Sequence, residues 1–218
     1  MNWHWLTYFG DSMLLLPCAA LILLMLLANP ETRRATWQWM LLFGIAGGLV
    51  CLSKLAFMGW GIGSRRFDFT GFSGHSALSA SIWPVLMWML TGRMPRLVRI
   101  GAITTGYVLA FFVGYSRLVI HVHSPAEVVA GLVLGFTIST TFLMLQTSAT
   151  VPRLSYGQLA MALVVPLFLI NTGKVAPTQG LLERIAVAIS PATRAFTRAD
   201  LHHLSILTPP AAGQMTLK

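Results

Sequence analysis

Residues 13–28 read MLLLPCAALILLMLLA, a run without a single charged side chain. With its flanks, this run is long enough to cross a bilayer, because a membrane-spanning helix needs about 20 largely apolar residues. No basic residue precedes it, and the first cations of the chain are Arg33 and Arg34. We therefore expect a retained membrane helix here rather than a cleavable signal peptide.

Five further apolar runs follow, separated by short polar connections: 37–52, 77–90, 100–113, 128–145 and 159–170. The pattern predicts an all-α fold, a polytopic transmembrane bundle of about six helices that occupies residues 1–172. We expect residues 173–218 to form an extramembrane tail without a catalytic role. In this tail, 180–189 is predicted to be a short amphipathic helix on the membrane surface, and the chain from 208 onward is predicted to be disordered.

The composition points to the lipid bilayer as the main partner. Hydrophobic residues make up 56% of the chain and charged residues only 10%, against about 25% charged in soluble domains. The net charge of +9 is too thinly spread to indicate nucleic-acid binding. The two cysteines lie in apolar runs, and the six acids are scattered, so no disulfide framework, metal site or other cofactor is expected; the acids are Asp11, Glu31, Asp68, Glu127, Glu183 and Asp200.

Two polar connections each bring a histidine to the start of a predicted helix. Ser73-Gly74-His75 opens the third helix, and His123-Ser124-Pro125-Ala126-Glu127 opens the fifth. Both connections leave the membrane on the same side, so these histidines should meet the cations near them, which are Lys54, Arg65, Arg66 and Arg117. Cations together with helix N-termini favour an anion, and phosphate is the natural candidate.

The spacing of these residues resembles the type 2 phosphatidic acid phosphatase (PAP2) family. The family signature is Lys-x6-Arg-Pro, then Pro-Ser-Gly-His, then Ser-Arg-x5-His-x3-Asp. Here Ser73-Gly74-His75 is followed by Ser116-Arg117, five residues, His123, three residues and Glu127. The chain departs from the signature at three positions: Phe72 replaces the proline, Glu127 replaces the aspartate, and Gly61 stands where the first arginine would be, with Arg65 and Arg66 as the nearest cations.

The resemblance implies a metal-independent phosphomonoester or diphosphate hydrolase that works through a phosphohistidine. His123 would be the nucleophile and His75 the general acid, roles that imidazoles can fill near neutral pH. Glu127 would orient His123. Phosphate would be held by Lys54, Arg65 or Arg66, Ser73, Gly74, Ser116 and Arg117.

Each of these assignments has a structural alternative. Ser124-Pro125-Ala126-Glu127 is also a helix-capping box, which alone would explain Glu127, and both interpretations can hold together. Lys54 can simply extend to the interface, and Arg65 and Arg66 can be solvated loop charges. The pair His121 and His123 hints at zinc, but no further ligand is evident.

A site at the end of a membrane bundle predicts an amphiphilic substrate: a phosphatidate-like lipid, phosphatidylglycerol phosphate, a lipid A phosphate or a polyprenyl diphosphate. A lipid-to-lipid phosphotransferase would use the same site. A transporter is a less favoured alternative, because its polar residues would follow a path through the membrane, and a structural scaffold is the least favoured. The short connections on the side without histidines are rich in arginine, so we expect the site and both termini outside the cytoplasm, on the periplasmic face of a bacterial inner membrane.

Overall fold

In a computed structural model, residues 3–146, 154–171 and 178–203 are described. These residues form nine α-helices and no β-strand. The helices are α1 (Trp3–Tyr8), α2 (Ser12–Leu27), α3 (Arg33–Trp60), α4 (Gly74–Leu90), α5 (Arg96–Val119), α6 (Pro125–Met144), α7 (Tyr156–Asn171), α8 (Thr178–Ile189) and α9 (Arg198–His203).

The predicted all-α bundle is confirmed, and each predicted apolar run forms a helix, from α2 to α7. Among the described residues, four segments are long and apolar enough to cross a membrane by length and composition: Trp5–Leu27, Pro30–Trp60, Arg96–Val119 and Pro125–Met144. The other two of about six predicted membrane helices are shorter: α4 has 17 residues and α7 has 16. Both are apolar but shorter than the usual spanning length.

Capping residues set the helix ends around the polar end of the bundle. The Asp11 carboxylate accepts from the Met13 backbone N–H at 2.7 Å and begins α2. Gly61, with a φ of 69°, ends α3 in the left-handed conformation that glycine adopts most readily. Ser124 begins α6, followed by Pro125 in the first turn.

Helix α4 lies at the centre of the bundle, and small residues let its neighbours approach closely. A side chain at Gly106 of α5 would come within 2.8 Å of the Pro84 backbone. On α6, a Cβ at Gly135 would overlap the Ala77 carbonyl oxygen. Small residues permit such backbone approach between membrane helices. The start of α4, which carries His75, therefore lies close against α6, and the second half of α4 lies close against α5.

Residues 178–203, called the C-terminal segment below, pack on the polar end of the bundle. Helix α8 corresponds to the helix predicted at 180–189. It lies against the end of α3, where Phe57 and Met58 are buried together with Ala186 and Leu201. The Phe196 N–H donates to the Met58 carbonyl at 2.8 Å. The domain boundary at residue 172 stays a prediction, and the disorder predicted from residue 208 lies outside the described residues.

Candidate active site

A cavity of about 620 Å³ opens at the polar end of the bundle. It is bounded by the start of α2, the end of α3, the start of α4, the end of α5, the loop before α6 and the C-terminal segment. Both predicted histidines, His75 and His123, line it together with Lys54, Gly74 and Arg117. The fold thus brings together two motifs that are more than forty positions apart in the chain.

His123 is hydrogen-bonded through Nδ1 to Oε2 of Glu127 at 2.7 Å. The two residues are four positions apart, and Glu127 is completely buried. With Nδ1–H donating to the carboxylate, the lone pair of the imidazole lies on Nε2. Burial lowers the pKa of His123 against the opposing effect of Glu127. The ring is therefore neutral near pH 7, as a nucleophile requires.

The Glu127 carboxylate accepts hydrogen bonds from two sides. Oε1 accepts from the Thr70 N–H at 2.8 Å and from the Thr70 hydroxyl at 2.5 Å. Oε2 accepts from the Ser124 N–H at 3.2 Å, and the Ser124 hydroxyl accepts from the Glu127 N–H at 3.3 Å, which completes a capping box. The two interpretations of Glu127, as a cap and as the partner of His123, hold together in the structure.

His75 lies in the first turn of α4 and faces a carboxylate from the N-terminal segment. Its Nε2 is 3.7 Å from Oδ2 of Asp11, which is almost fully buried and also caps α2. Sequence reasoning did not connect these residues, because 64 positions and two helices separate them. Burial, followed by the positive charges of Arg117, His123 and Lys54, nevertheless lowers the pKa of His75 to about 3.

Two cations line the same cavity. Lys54 Nζ donates to the side-chain oxygen of Gln179 in α8 at 3.2 Å. Arg117 Nη1 donates to the Thr7 hydroxyl at 2.6 Å, whereas its Nε is buried and has no hydrogen-bond acceptor among the described residues. An unsatisfied guanidinium nitrogen in a buried position is a site that a phosphate oxygen can satisfy.

The predicted serine ligands are differently placed. Ser73 and Ser116 are fully buried and do not line the cavity. The Ser73 hydroxyl accepts from the Ser76 hydroxyl at 2.9 Å, and the Ser116 hydroxyl donates to the Val113 carbonyl at 2.6 Å. Their hydroxyls therefore serve internal contacts of the helix ends.

Arg65 and Arg66 also lie outside the cavity. Both are exposed in a short 3-10 turn at Arg65–Phe67, and the Arg66 guanidinium stacks over the Phe67 ring at 5.5 Å. The turn lies in a chain reversal between Ser64 and Phe69, which form an isolated antiparallel bridge.

A different arginine, Arg198 at the start of α9, lines the cavity instead. Its Nη2 donates to Oε2 of Glu127 at 2.7 Å, and its Nη1 donates to the Asp68 carboxylate and, at 3.1 Å, to the Asp68 carbonyl. Sequence reasoning gave the tail no catalytic role. It missed Arg198 because this arginine follows Glu127 by 71 positions and belongs to no recognisable motif.

His121 does not join a metal site. It is exposed, with a φ of 56°, and it does not line the cavity. In the part of the chain that the structure describes, no group of three or more His, Cys, Asp and Glu side chains could hold a metal ion. The cavity is lined by two imidazoles and by three cations, Lys54, Arg117 and Arg198, and the buried Glu127 carboxylate lies behind His123. This set is suited to moving a phosphoryl group.

Comparison with known proteins agrees with this chemistry. The PAP2 superfamily matches residues 59–150, which include His75, Arg117, His123 and Glu127. A relative described as "Uncharacterized 22.5 kDa protein in cps region", from Klebsiella pneumoniae, is 53% identical over 205 residues, which are 93% of this chain and 98% of the relative. No solved structure matches the chain. The match supports a phosphatase-type activity, and the apolar helices support a membrane protein. Residues 59–150 of the chain form a domain of the PAP2 superfamily.

Proposed function

We propose that this protein is a metal-independent membrane phosphatase that hydrolyses the phosphomonoester or diphosphate headgroup of a lipid through a phosphohistidine. The observation that carries the proposal is the 2.7 Å hydrogen bond between His123 Nδ1 and buried Glu127, in a cavity that also holds His75, Lys54 and Arg117. A nucleophile whose tautomer is fixed, a second imidazole and two cations are the parts that this chemistry needs.

The reaction has two steps. His123 Nε2 attacks phosphorus, the bond between phosphorus and the leaving oxygen breaks, and His75 gives that oxygen a proton. Water then attacks the phosphohistidine, His75 takes up a proton from it, and inorganic phosphate leaves. Lys54 and Arg117 neutralise the charge on the phosphoryl oxygens during both steps. Burial and the positive charges of Arg117 and Lys54 lower the pKa of His75 to about 3, so the negative charge of a bound phosphate is what would favour the protonated ring that the first step requires.

The cavity lining supports an amphiphilic substrate. Beside its charged groups the cavity has aliphatic walls, formed by Leu16 of α2, Val50 of α3, Leu78 of α4 and Leu182 of α8. A phosphate headgroup would contact the cations while the adjoining chain contacts these walls. Phosphatidate, phosphatidylglycerol phosphate, lipid A phosphate and polyprenyl diphosphate all have this character.

The charge distribution supports a periplasmic site in a bacterial inner membrane. The described connections at the opposite end of the bundle carry an excess of arginine, and short loops of this kind remain in the cytoplasm; these arginines are Arg33, Arg34, Arg93, Arg96 and Arg99, with Glu31 as the accompanying acid. Both ends of the described chain lie at the cavity end, with Thr7 and Arg198 bonded there.

Phosphate release by purified protein in detergent tests the proposal. We expect release from at least one of the four lipid classes and an acid-labile phosphoenzyme, both absent in His123→Ala. The matched control is His121→Asn, because His121 is two positions away, exposed and outside the cavity, and asparagine tolerates its left-handed backbone. Undiminished turnover in His123→Ala, or equal loss in His121→Asn, would contradict the mechanism.

A further inference from the structure

One arginine of the C-terminal segment joins two of the acids at the polar end. Arg198 binds the Glu127 carboxylate through Nη2 and the Asp68 carboxylate through Nη1. Its side chain is about one-third exposed, whereas Glu127 is completely buried. A buried carboxylate is costly unless it is paired and hydrogen-bonded, so this cation meets a real electrostatic requirement of the site.

Packing, and not the ion pairs alone, places Arg198 there. Two positions before it, the Phe196 N–H donates to the Met58 carbonyl at the end of α3. Three positions after it, Leu201 is buried against Phe57 and Met58. Thr197 directly precedes α9, and its N–H and hydroxyl both donate to the carboxylate of Asp200 in the first turn of that helix. The guanidinium is therefore delivered to Glu127 by a segment with its own contacts to the bundle.

We propose that Arg198 is a positioning residue that holds the Glu127 carboxylate against His123 Nδ1, so that the C-terminal segment completes the active site. The inference rests on the proposed function of His123 as the nucleophile. Arg198 and His123 share the same acceptor atom, Oε2 of Glu127. The arginine thereby fixes where the carboxylate lies and limits how strongly it attracts a proton onto the imidazole.

The direction in which removal of Arg198 shifts the pKa of His123 follows from the charges around the ring. Lys54 of α3, His75 of α4 and Arg117 of α5 disfavour a charged imidazole, and Glu127 of α6 favours one. Arg198 offsets part of the Glu127 charge, while Asp68 lies on its far side. Removing Arg198 leaves the carboxylate freer to stabilise imidazolium, so the pKa of His123 rises and the neutral nucleophile is lost at a higher pH.

The test compares wild type with Arg198→Ala, Arg198→Lys and Asp68→Asn across pH 5–9. In Arg198→Ala we expect kcat to fall about 10- to 100-fold, as for other residues that orient a catalytic group. The acid limb of the profile should move up by about one pH unit. Arg198→Lys should keep the wild-type limb with a smaller loss of kcat, because it retains the charge but not the forked geometry.

Two further comparisons make the test specific. Asp68→Asn removes the carboxylate that anchors Arg198 and that also pairs with His202 Nε2 at 2.9 Å, so it should cause a smaller loss of kcat than Arg198→Ala. The effect on Glu127 passes through Arg198, so the double variant should lose no more kcat than Arg198→Ala. The matched control is Arg184→Ala, which removes a positive charge from exposed α8 outside the cavity and should behave as wild type. If Arg198→Ala does not fold, the kcat and the acid limb of Arg198→Lys and Asp68→Asn are compared with those of wild type instead.

A readout without turnover separates this inference from the proposed function. The His123 ring can be titrated by ¹⁵N-histidine NMR in detergent, with its signals assigned through His123→Ala. A raised pKa of His123 in Arg198→Ala supports the inference even if no lipid is hydrolysed, whereas an unchanged pKa overturns it. A raised KM with an unshifted acid limb would also overturn it, since that result describes a phosphate ligand.

Discussion

Replacing Glu127 with glutamine tests the centre of the site with almost no change in shape. The carboxylate accepts from five donors: the Thr70 N–H and hydroxyl, the Ser124 N–H, His123 Nδ1 and Arg198 Nη2. An amide offers a single acceptor oxygen, so in either orientation its NH₂ group faces an N–H donor. Because Glu127 is completely buried, the donors around it cannot turn toward water instead.

The expected loss of activity comes from the tautomer of His123. If the amide oxygen stays with Thr70, the NH₂ group faces His123, and Nδ1 must become the acceptor. The proton then sits on Nε2 and removes the nucleophilic lone pair. The corresponding change in a serine-protease triad lowers kcat by about 10⁴-fold, and we expect a loss of about 10³- to 10⁴-fold here.

The same substitution should also destabilise the fold. Each donor left unsatisfied in a buried position costs about 1–3 kcal/mol. With at least one such donor, the free energy of unfolding should fall by about that amount, measured by denaturant unfolding in detergent. Glu31→Gln, at the exposed opposite end of the bundle, is the matched control and should change neither quantity.

Glu127→Asp, which restores the residue usual in the family, gives a sharper comparison. Its carboxylate would retract by about one carbon–carbon bond, roughly 1.5 Å. At that distance it would lose either Thr70 or His123, so kcat should fall about 10- to 100-fold and not rise. Turnover of Glu127→Gln within a factor of two of wild type would refute the whole account of this carboxylate.

Three other predictions concern the arginine loop, the helix packing and the topology, and a fourth concerns metals. Replacing Arg65 and Arg66 together by alanine should leave kcat/KM nearly unchanged, because both are exposed outside the cavity. Gly135→Val should lower the yield of folded protein in detergent, because the facing α4 backbone leaves no room. In a protein whose two native cysteines have been replaced, Thr91→Cys should not be labelled by an impermeant thiol reagent in intact cells, whereas Gln214→Cys should be labelled. The reverse labelling pattern would overturn the orientation. Activity should persist in EDTA, and recovery only with added zinc or magnesium would contradict a metal-independent reaction.

Local spacing explains why much of the site could be predicted from sequence. The helix start at Ser124 places Glu127 in the first turn, one turn beyond His123, and so fixes their contact. The apolar runs likewise predicted each helix from α2 to α7, because burial in lipid demands long apolar segments whatever their packing. The hydroxyls of Ser73 and Ser116 make contacts within the protein that the sequence did not predict, since spacing gives their position in the chain but not the direction of their hydroxyls.

Contacts between distant segments could not be predicted in this way. Asp11 reaches His75, and Arg198 reaches Glu127, only because α1, α2 and the C-terminal segment fold over the same end of the bundle. No periodicity in the sequence records such a meeting, since each partner lies on a different element. Composition did not indicate these contacts either, because a tail with a higher share of polar residues is typical of a solvated segment. Its apolar residues Phe196 and Leu201 nevertheless pack against the end of α3.

The extra methylene of Glu127 accounts for how one carboxylate serves both a local and a distant set of partners. In a capping box, the side chain at the third helical position must turn back to reach the N–H of the capping residue, and glutamate does this better than aspartate. Once turned back, Oε2 meets Ser124 and His123, while Oε1 extends to Thr70 in the loop after α3. That loop also carries Asp68, which receives the other half of the Arg198 fork. The length of Glu127 therefore lets one buried carboxylate join the nucleophile, the loop that lacks the family arginine, and the arginine of the C-terminal segment.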